Sequence, residues 1–122
     1  MNEGTIISKT KKPITIDTIC QDLIKLGINR GNTLLVHSSL SSLGWVCGGA
    51  QSVILALIKV LGRDGTLVMP AHSGDWSDPV EWENPPVPKD WIQTIYENMP
   101  AFEPGRTPTR GMRCIAELFR TF

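Results

Sequence analysis

The sequence has no net charge, no long hydrophobic run and few cysteines, and each absence excludes a class of protein. Twelve basic and twelve acidic side chains give a formal net charge of zero, so the overall charge predicts neither a nucleic acid nor a membrane surface as partner. The longest apolar stretch, Val53–Leu61, is interrupted by Lys59 and is far shorter than the roughly 20 residues that cross a bilayer. The N-terminal lysines are not followed by an apolar run, so no secretory signal is predicted.

The cysteines exclude a disulfide framework and a zinc site. Cys20, Cys47 and Cys114 are odd in number, widely spaced and without a CxxC pair. We therefore predict buried or half-buried free thiols in a cytoplasmic protein, and no metal. Hydrophobic residues make up 41% and charged residues 20% of the sequence, which is typical of a globular domain.

Two segments have the apolar periodicity of helices. Thr15 precedes the first, Ile16–Leu26, as an N-cap, and Gly27 follows it as a stop. The second covers about Ala50–Leu61 and is closed by Gly62. The predicted buried positions are Ile16, Ile19, Cys20 and Leu23 in the first helix and Val53, Ile54, Leu57, Ile58 and Leu61 in the second.

Two short apolar runs, Thr33–His37 and Thr66–Pro70, predict strands that are buried on both faces. The order helix, strand, helix, strand favours an α/β fold with parallel strands. Average sheets have about five or six strands, and the sequence ends on the apolar residues Leu118, Phe119 and Phe122. We therefore expect residues 1–122 to be one incomplete domain with a loosely held segment at 1–13, and we expect a homodimer to cover its apolar surface.

The second half of the sequence has less regular patterning. His72–Pro88 is a long irregular excursion, and Lys89–Met99 has a helical pattern. Pro100–Thr109 is again irregular. Periodicity leaves Gly111–Phe119 open between a strand and a short helix.

Four ordered motifs resemble the aminoglycoside 3-N-acetyltransferase family. They are VHSSLSSLGWVCGGA at 36–50, GTLVMP at 65–70, WENPPVP at 82–88, and PGRTPTR at 104–110 followed by IAELFR at 115–120. The resemblance implies a three-layer α-β-α sandwich with a mainly parallel sheet, of which this chain is about the first half. It also implies acetyl transfer from acetyl-coenzyme A to the 3-amino group of a 2-deoxystreptamine antibiotic, and hence antibiotic resistance, with an aminoglycoside or another amine as the small-molecule partner.

The chain departs from the family pattern in two respects. Arg113 stands where the family usually has glycine, near the expected path of the thioester arm. The family's histidine base belongs to a motif downstream of Phe122, and neither His37 nor His72 occupies that motif. We therefore predict no catalytic residue in this chain and an acetyltransferase that is inactive in this form. The alternative is a non-catalytic remnant that binds coenzyme A or has a structural role.

The loop Ser38–Gly49, between a predicted strand and helix, is the candidate coenzyme A site. It is longer than the usual two to six residues of such a connection, its glycines let a phosphate approach the backbone, and the following helix offers free N–H groups. It matches neither GxxxxGK(S/T) nor GxGxxG, so an ordinary serine-rich turn is the alternative. A lone histidine such as His37 at the end of a buried strand is more often a hydrogen-bonded core residue than a catalyst. The predicted coenzyme A residues here are His37, Ser38, Ser39, Leu40, Ser41, Gly44, Gly48 and Gly49.

Two further groups complete the predicted site. Arg106, Thr107, Thr109 and Arg110 carry cations and hydroxyls that suit phosphate, with a solvated loop as the alternative. An acceptor site needs carboxylates for the ammonium groups of an aminosugar and flat apolar faces for its rings, and a solvated acidic loop is the alternative. The predicted acceptor residues are Asp75, Trp76, Asp78 and Trp82 in the irregular excursion and Glu117 in the last family motif.

Overall fold

A computed structural model describes residues 2–122, which separate into two compact units, residues 2–71 with 112–122 and residues 72–111. The first unit contains a two-stranded parallel sheet packed on one face against helices, so the predicted α/β fold with a parallel sheet is confirmed. The elements in chain order are α1 (Glu3–Lys9), α2 (Ile16–Lys25), β1 (Thr33–Leu35), α3 (Leu40–Leu43), α4 (Gly49–Leu61), β2 (Thr66–Val68), α5 (Ile92–Asn98) and α6 (Arg113–Phe119).

Helix α2 begins at the predicted residue, Ile16, and ends at Lys25, one residue before the predicted end. The Thr15 hydroxyl accepts a hydrogen bond from the Thr18 backbone N–H at 3.2 Å, and the Thr18 hydroxyl accepts one from the Thr15 N–H at 2.9 Å. This reciprocal pair satisfies two N–H groups that the first helical turn leaves without partners. Gly27 has a φ of 97°, a left-handed conformation that ends the helix. Glycine adopts this conformation at little cost in free energy because it has no Cβ.

Helix α4 forms the centre of the first unit. Ile54 is 0% exposed and, with Val53, Leu57, Val46 and Ile115, forms the main hydrophobic cluster. The predicted buried face is confirmed for four of its five residues, but Ile58 is 41% exposed. Successive residues advance by about 100° around a helix, so Ile58 lies beyond Ile54, at the margin of the buried arc.

The strands are shorter than predicted, and only one of their faces is buried. β1 and β2 pair in parallel with Thr33 opposite Thr66, and Leu34 and Leu67 pack on the core formed by α4. Leu35 and Val68 point the other way and are 60% and 41% exposed. The prediction of strands buried on both faces is therefore wrong for this chain, because alternate residues face opposite sides of a sheet and the helices cover one side.

Two other segments of the first unit are helical. Asn2 caps α1 by accepting a hydrogen bond from the Thr5 N–H at 2.8 Å, within the segment predicted to be loosely held. The Thr10 hydroxyl after α1 accepts a hydrogen bond from the Trp45 N–H at 2.9 Å. The segment that periodicity left open is helix α6, which places Ile115 in the core.

The second unit is held together by side-chain hydrogen bonds as much as by regular structure. Besides α5, it has 3-10 turns at Pro79–Glu81 and Lys89–Trp91, so the predicted helix at 89–99 is confirmed. The Trp76 indole donates to the Pro100 carbonyl at 2.8 Å, and the Trp82 indole donates to the Ser77 hydroxyl at 2.9 Å. Within residues 2–122, no helix has the length and apolar character needed to span a membrane.

Candidate functional site

A cavity of about 510 Å³ in the first unit collects most of the predicted coenzyme A loop. Its wall is formed by α1, the loop around α3, the start of α4 and the start of α6. The serine hydroxyls, the glycine backbone and an arginine lie on this wall beside apolar side chains, which suits a ligand with both phosphate and apolar parts. The predicted residues on the wall are Ser39, Leu40, Ser41, Gly44, Gly48 and Gly49.

Half of the wall was not among the predicted site residues. Glu3 and Ile6 come from α1, and Asn2 followed by an acidic residue is the N-cap signal that could have revealed this helix. Cys114 belongs to α6, whose type the sequence left open. The additional wall residues are Glu3, Ile6, Trp45, Val46, Arg113 and Cys114.

Two glycines with left-handed backbone conformations form the junction between the loop and α4. Gly48 and Gly49 have φ values of 86° and 60°, a region that other residues enter only at a cost of about 1–3 kcal/mol. A side chain at Gly48 would overlap the Ser52 hydroxyl, whereas at Gly49 nothing lies within 4 Å. The Ser52 hydroxyl donates to the Cys47 carbonyl at 2.6 Å, so Gly48 leaves room for the bond that closes the loop onto the helix.

We expect Gly48→Ala to destabilise the chain more than Gly49→Ala. Both variants place a side chain at positive φ, at about 1 kcal/mol or more. Gly48→Ala also displaces the Ser52 hydroxyl from its bond to the Cys47 carbonyl, which adds about 1 kcal/mol. Urea unfolding of the two variants, alone and combined with Ser52→Ala, measures this extra loss as a coupling free energy. Equal costs for the two alanines, or a coupling of zero, would show that Ser52 does not require the glycine.

Arg113 is a residue with an unusual backbone in this cavity. Its φ is 68°, and it is the one residue other than glycine with positive φ among residues 2–122. Its guanidinium donates to the Ser39 hydroxyl at 3.3 Å. The arginine therefore occupies a conformation that suits the glycine expected from the family resemblance, and it holds its side chain on the cavity wall.

His37 and Ser38 are not on the cavity wall. His37 follows β1 and is exposed, so its interpretation as a hydrogen-bonded core residue is wrong. The strand ends at Leu35, which leaves the imidazole beyond the packed part of the sheet. The assignment of both residues to coenzyme A remains a prediction.

The second predicted phosphate group lies in the second unit, where its cations have acidic partners. Arg106 pairs with Glu103 at 3.2 Å and Arg110 pairs with Asp75 at 2.6 Å. Thr107 is buried, and its hydroxyl accepts a hydrogen bond from the Glu103 N–H at 2.8 Å. Thr109 belongs to the same unit. A phosphate that binds these arginines has to compete with the carboxylates.

The predicted acceptor residues also have internal partners. Asp78 accepts hydrogen bonds from the Tyr96 hydroxyl at 2.6 Å and from the Val80 N–H at 3.1 Å. Both bonds lower the pKa of Asp78, and the bond from Tyr96 has the larger effect. The hydrogen bond between Tyr96 and Asp78 also raises the pKa of Tyr96. Trp76 and Trp82 use their indole N–H groups within the second unit. Their ring faces and the remaining carboxylate oxygens are what an aminosugar could contact.

Glu117 lies on α6 in the first unit, whereas the other predicted acceptor residues belong to the second unit. Its carboxylate pairs with Arg120 at 2.6 Å and raises the pKa of that guanidinium through the hydrogen bond. Glu117 therefore already holds a cation of its own helix. A role in binding an acceptor amine remains a prediction.

One of the three cysteines is buried and two are exposed. Cys20 is buried as predicted, but Cys47 and Cys114 are exposed. The prediction of buried or half-buried thiols is wrong for these two, because one lies in the loop before α4 and the other at the start of α6. Among residues 2–122 there is no cluster of three or more His, Cys, Asp or Glu side chains that could hold a metal ion.

Comparison with known proteins shows the family of this chain. The model of the aminoglycoside 3-N-acetyltransferase family matches residues 35–122. The chain belongs to this family, and the resemblance found in its motifs is confirmed. It is 54% identical over 118 residues to the SPbeta prophage-derived aminoglycoside N(3')-acetyltransferase-like protein YokD of Bacillus subtilis strain 168, an alignment that covers 96% of this chain and 43% of the relative. It is 35% identical over 104 residues to aminoglycoside N(3)-acetyltransferase VIII of Streptomyces fradiae, covering 85% of this chain and 35% of the relative.

Solved structures show the same fold. The crystal structure of YokD matches with a TM-score of 0.94 and 53% identity, and the match covers 98% of this chain and 44% of that one. AAC-IIIb, solved as a binary complex with CoASH, matches with a TM-score of 0.72 and 27% identity, and the match covers 91% of this chain and 40% of that one. This chain thus spans less than half the length of these relatives.

Proposed function

We propose that this chain is the coenzyme A-binding part of an acetyltransferase that acetylates the 3-amino group of aminoglycosides and thereby confers resistance. The observation that carries the proposal is the cavity, where six predicted coenzyme A residues of the family motif meet in one wall. Membership of the family supports the reaction. The related AAC-IIIb, whose structure contains CoASH, supports coenzyme A as the ligand.

The proposed binding mode follows from the chemistry of the wall. Helix α4 starts at Gly49, whose N–H donates to the Val46 carbonyl at 2.9 Å. The following N–H groups of its first turn have no helical partners and favour an anion. Ser39 and Ser41 add hydroxyl donors. Leu40, Trp45 and Val46 provide apolar surface for the pantetheine arm. In the proposed reaction a C–N bond forms at the amine, the C–S bond of the thioester breaks, the amine loses a proton, and coenzyme A leaves as its thiol.

The acceptor is proposed to meet the acidic and aromatic side chains predicted for it. Aminoglycosides are polycations, so carboxylates such as Asp75 and Asp78 attract them and the tryptophan rings contact their sugar faces. The name of the Streptomyces fradiae relative supports this substrate class. The alternative of a non-catalytic remnant has no observation that favours it over the enzyme, and the two share the coenzyme A site.

The proposal predicts that coenzyme A binds at the start of α4. Gly49→Ala adds a methyl group at a position that lines the cavity, with nothing of the protein within 4 Å, so it should weaken coenzyme A binding at least about tenfold by blocking contacts to the helix N–H groups. Isothermal titration calorimetry of the 122-residue chain measures this change.

Gly27→Ala is the matched control for this experiment. Gly27 has a φ of 97°, also with nothing within 4 Å, but it lies after α2 and not on the cavity wall. It should cause a similar backbone strain and leave the affinity for coenzyme A unchanged. If both variants bind coenzyme A like the wild type, or if the wild type does not bind it, the proposed site is wrong.

A further inference from the structure

The cavity in the first unit has a cation that the coenzyme A motif does not contain. Arg113 is the one basic residue on its wall, and Glu3 is the one acidic residue among the described wall residues. The Glu3 carboxylate accepts a hydrogen bond from the Trp45 indole at 3.2 Å. Within residues 2–122, Arg113 forms no ion pair, and its contact is the Ser39 hydroxyl at 3.3 Å.

The backbone of Arg113 indicates that this position is held by its surroundings. A φ of 68° is unfavourable for arginine, and strained residues of this kind concentrate at binding sites. The side chain reaches the hydroxyl of Ser39, which lies in the loop around α3. The cavity wall that contains Gly48 and Gly49 thus also contains Arg113, with its strained backbone and its guanidinium without an acidic partner, and the hydroxyl of Ser39.

We infer that Arg113 makes this cavity a phosphate site by binding a phosphate group of the ligand together with Ser39 and the N–H groups at the start of α4. A guanidinium presents a fork of N–H donors that matches two phosphate oxygens. The hydroxyl and the helix N–H groups provide the remaining donors that a phosphate needs. The inference deepens the proposed function, on which its assignment to coenzyme A rests, and makes Arg113 a determinant of ligand specificity.

Inorganic pyrophosphate is the first probe, because it tests the phosphate site without assuming coenzyme A. Arg113→Gln should weaken pyrophosphate binding at least about tenfold, since hydrogen bonds to charged groups are lost, and Arg113→Lys should restore part of it. Arg63→Gln, at the far end of α4 and outside this cavity, makes the same change in net charge and should leave binding unchanged. Calorimetry at low and high salt should show a smaller salt dependence for Arg113→Gln than for the wild type.

Arg113→Gly tests whether a loss of binding comes from removing the side chain or from unfolding of the chain. Glycine suits a φ of 68°, so this variant should melt at a higher temperature than Arg113→Ala. It should nevertheless lose pyrophosphate binding as Arg113→Gln does. Pyrophosphate binding that survives in Arg113→Gln, that falls equally in Arg63→Gln, or that is absent in the wild type overturns the inference.

Coenzyme A and pantetheine, which lacks phosphate, test the assignment of the ligand. Arg113→Gln should weaken coenzyme A binding and leave pantetheine binding unchanged. Equal losses for both ligands would overturn the inference, because the arginine would then shape the cavity rather than bind phosphate. If pyrophosphate binds through Arg113 but coenzyme A does not bind, the phosphate site stands and the proposed function fails. If coenzyme A binds equally well to the wild type and Arg113→Gln, the proposed function stands and the inference fails.

Discussion

The 122-residue chain should transfer acetyl groups to aminoglycosides at least about 10²–10⁴-fold more slowly than a full-length member of its family, the range that a positioned general base contributes. A base must be held within hydrogen-bond reach of the amine proton and oriented by a partner. His37 and His72 are both exposed, and no carboxylate among residues 2–122 is hydrogen-bonded to either imidazole. We therefore predict that neither His37 nor His72 acts as the base.

Release of the coenzyme A thiol, followed in the presence of acetyl-coenzyme A and a panel of aminoglycosides, measures this rate. Aminoglycoside N(3)-acetyltransferase VIII of Streptomyces fradiae is a suitable full-length comparison. The variants His37→Ala and His72→Ala should leave the residual rate unchanged. A rate like that of the full-length enzyme, abolished by one of these variants, would assign the base to this chain and refute the prediction.

We also expect the 122-residue chain to associate into a dimer or a larger species at micromolar concentration. Leu35 and Val68 place apolar side chains on the uncovered face of the sheet. β1 and β2 pair only with each other in the sheet that the structure describes, so each also has a free edge. Exposed apolar faces and free strand edges favour pairing with a second chain. Light scattering coupled to size exclusion should give a mass of about twice 13.5 kDa or more.

A pair of variants tests whether the sheet is responsible for the association. Leu35→Thr combined with Val68→Thr places β-branched threonines, which favour strands, at both positions and should shift the chain towards the monomer. Leu26→Thr is the matched control, because Leu26 is 79% exposed but follows α2 and lies outside the sheet. Association that persists in the double variant, or that Leu26→Thr abolishes equally, would place the contact elsewhere. A monodisperse monomer of the wild type would refute the prediction.

Local sequence signals were sufficient for the main elements of the first unit. Thr15 and Gly27 mark the ends of α2, and the apolar period of α4 identifies Ile54 as core, because caps and helical spacing act within a few residues of the chain. Ile58 shows the limit of this reasoning. An apolar side chain at the margin of a helical stripe is buried only if another element covers it, and that depends on contacts distant in sequence.

The family motif was likewise readable before the structure, and it led to the prediction that the loop at Ser38–Gly49 binds coenzyme A. The partners of Arg106, Arg110 and Asp78 were not readable, since ion pairs and hydrogen bonds between distant loops leave no local pattern. The contribution of α1 to the cavity also depends on such a contact, between Thr10 and Trp45.

Arg113 shows most clearly which information resides in the chain and which in its folding. Comparison of the sequence with the family motif already shows that an arginine replaces a glycine here, because this requires only the identity of the residue. Its left-handed backbone and its contact with Ser39 are properties of the folded chain. They arise because α6 packs against α4 through Ile115, which brings residue 113 to a loop more than seventy positions earlier. Only tertiary packing could bring this cation to the serine and the two glycines of the family motif, which the sequence already places in one loop.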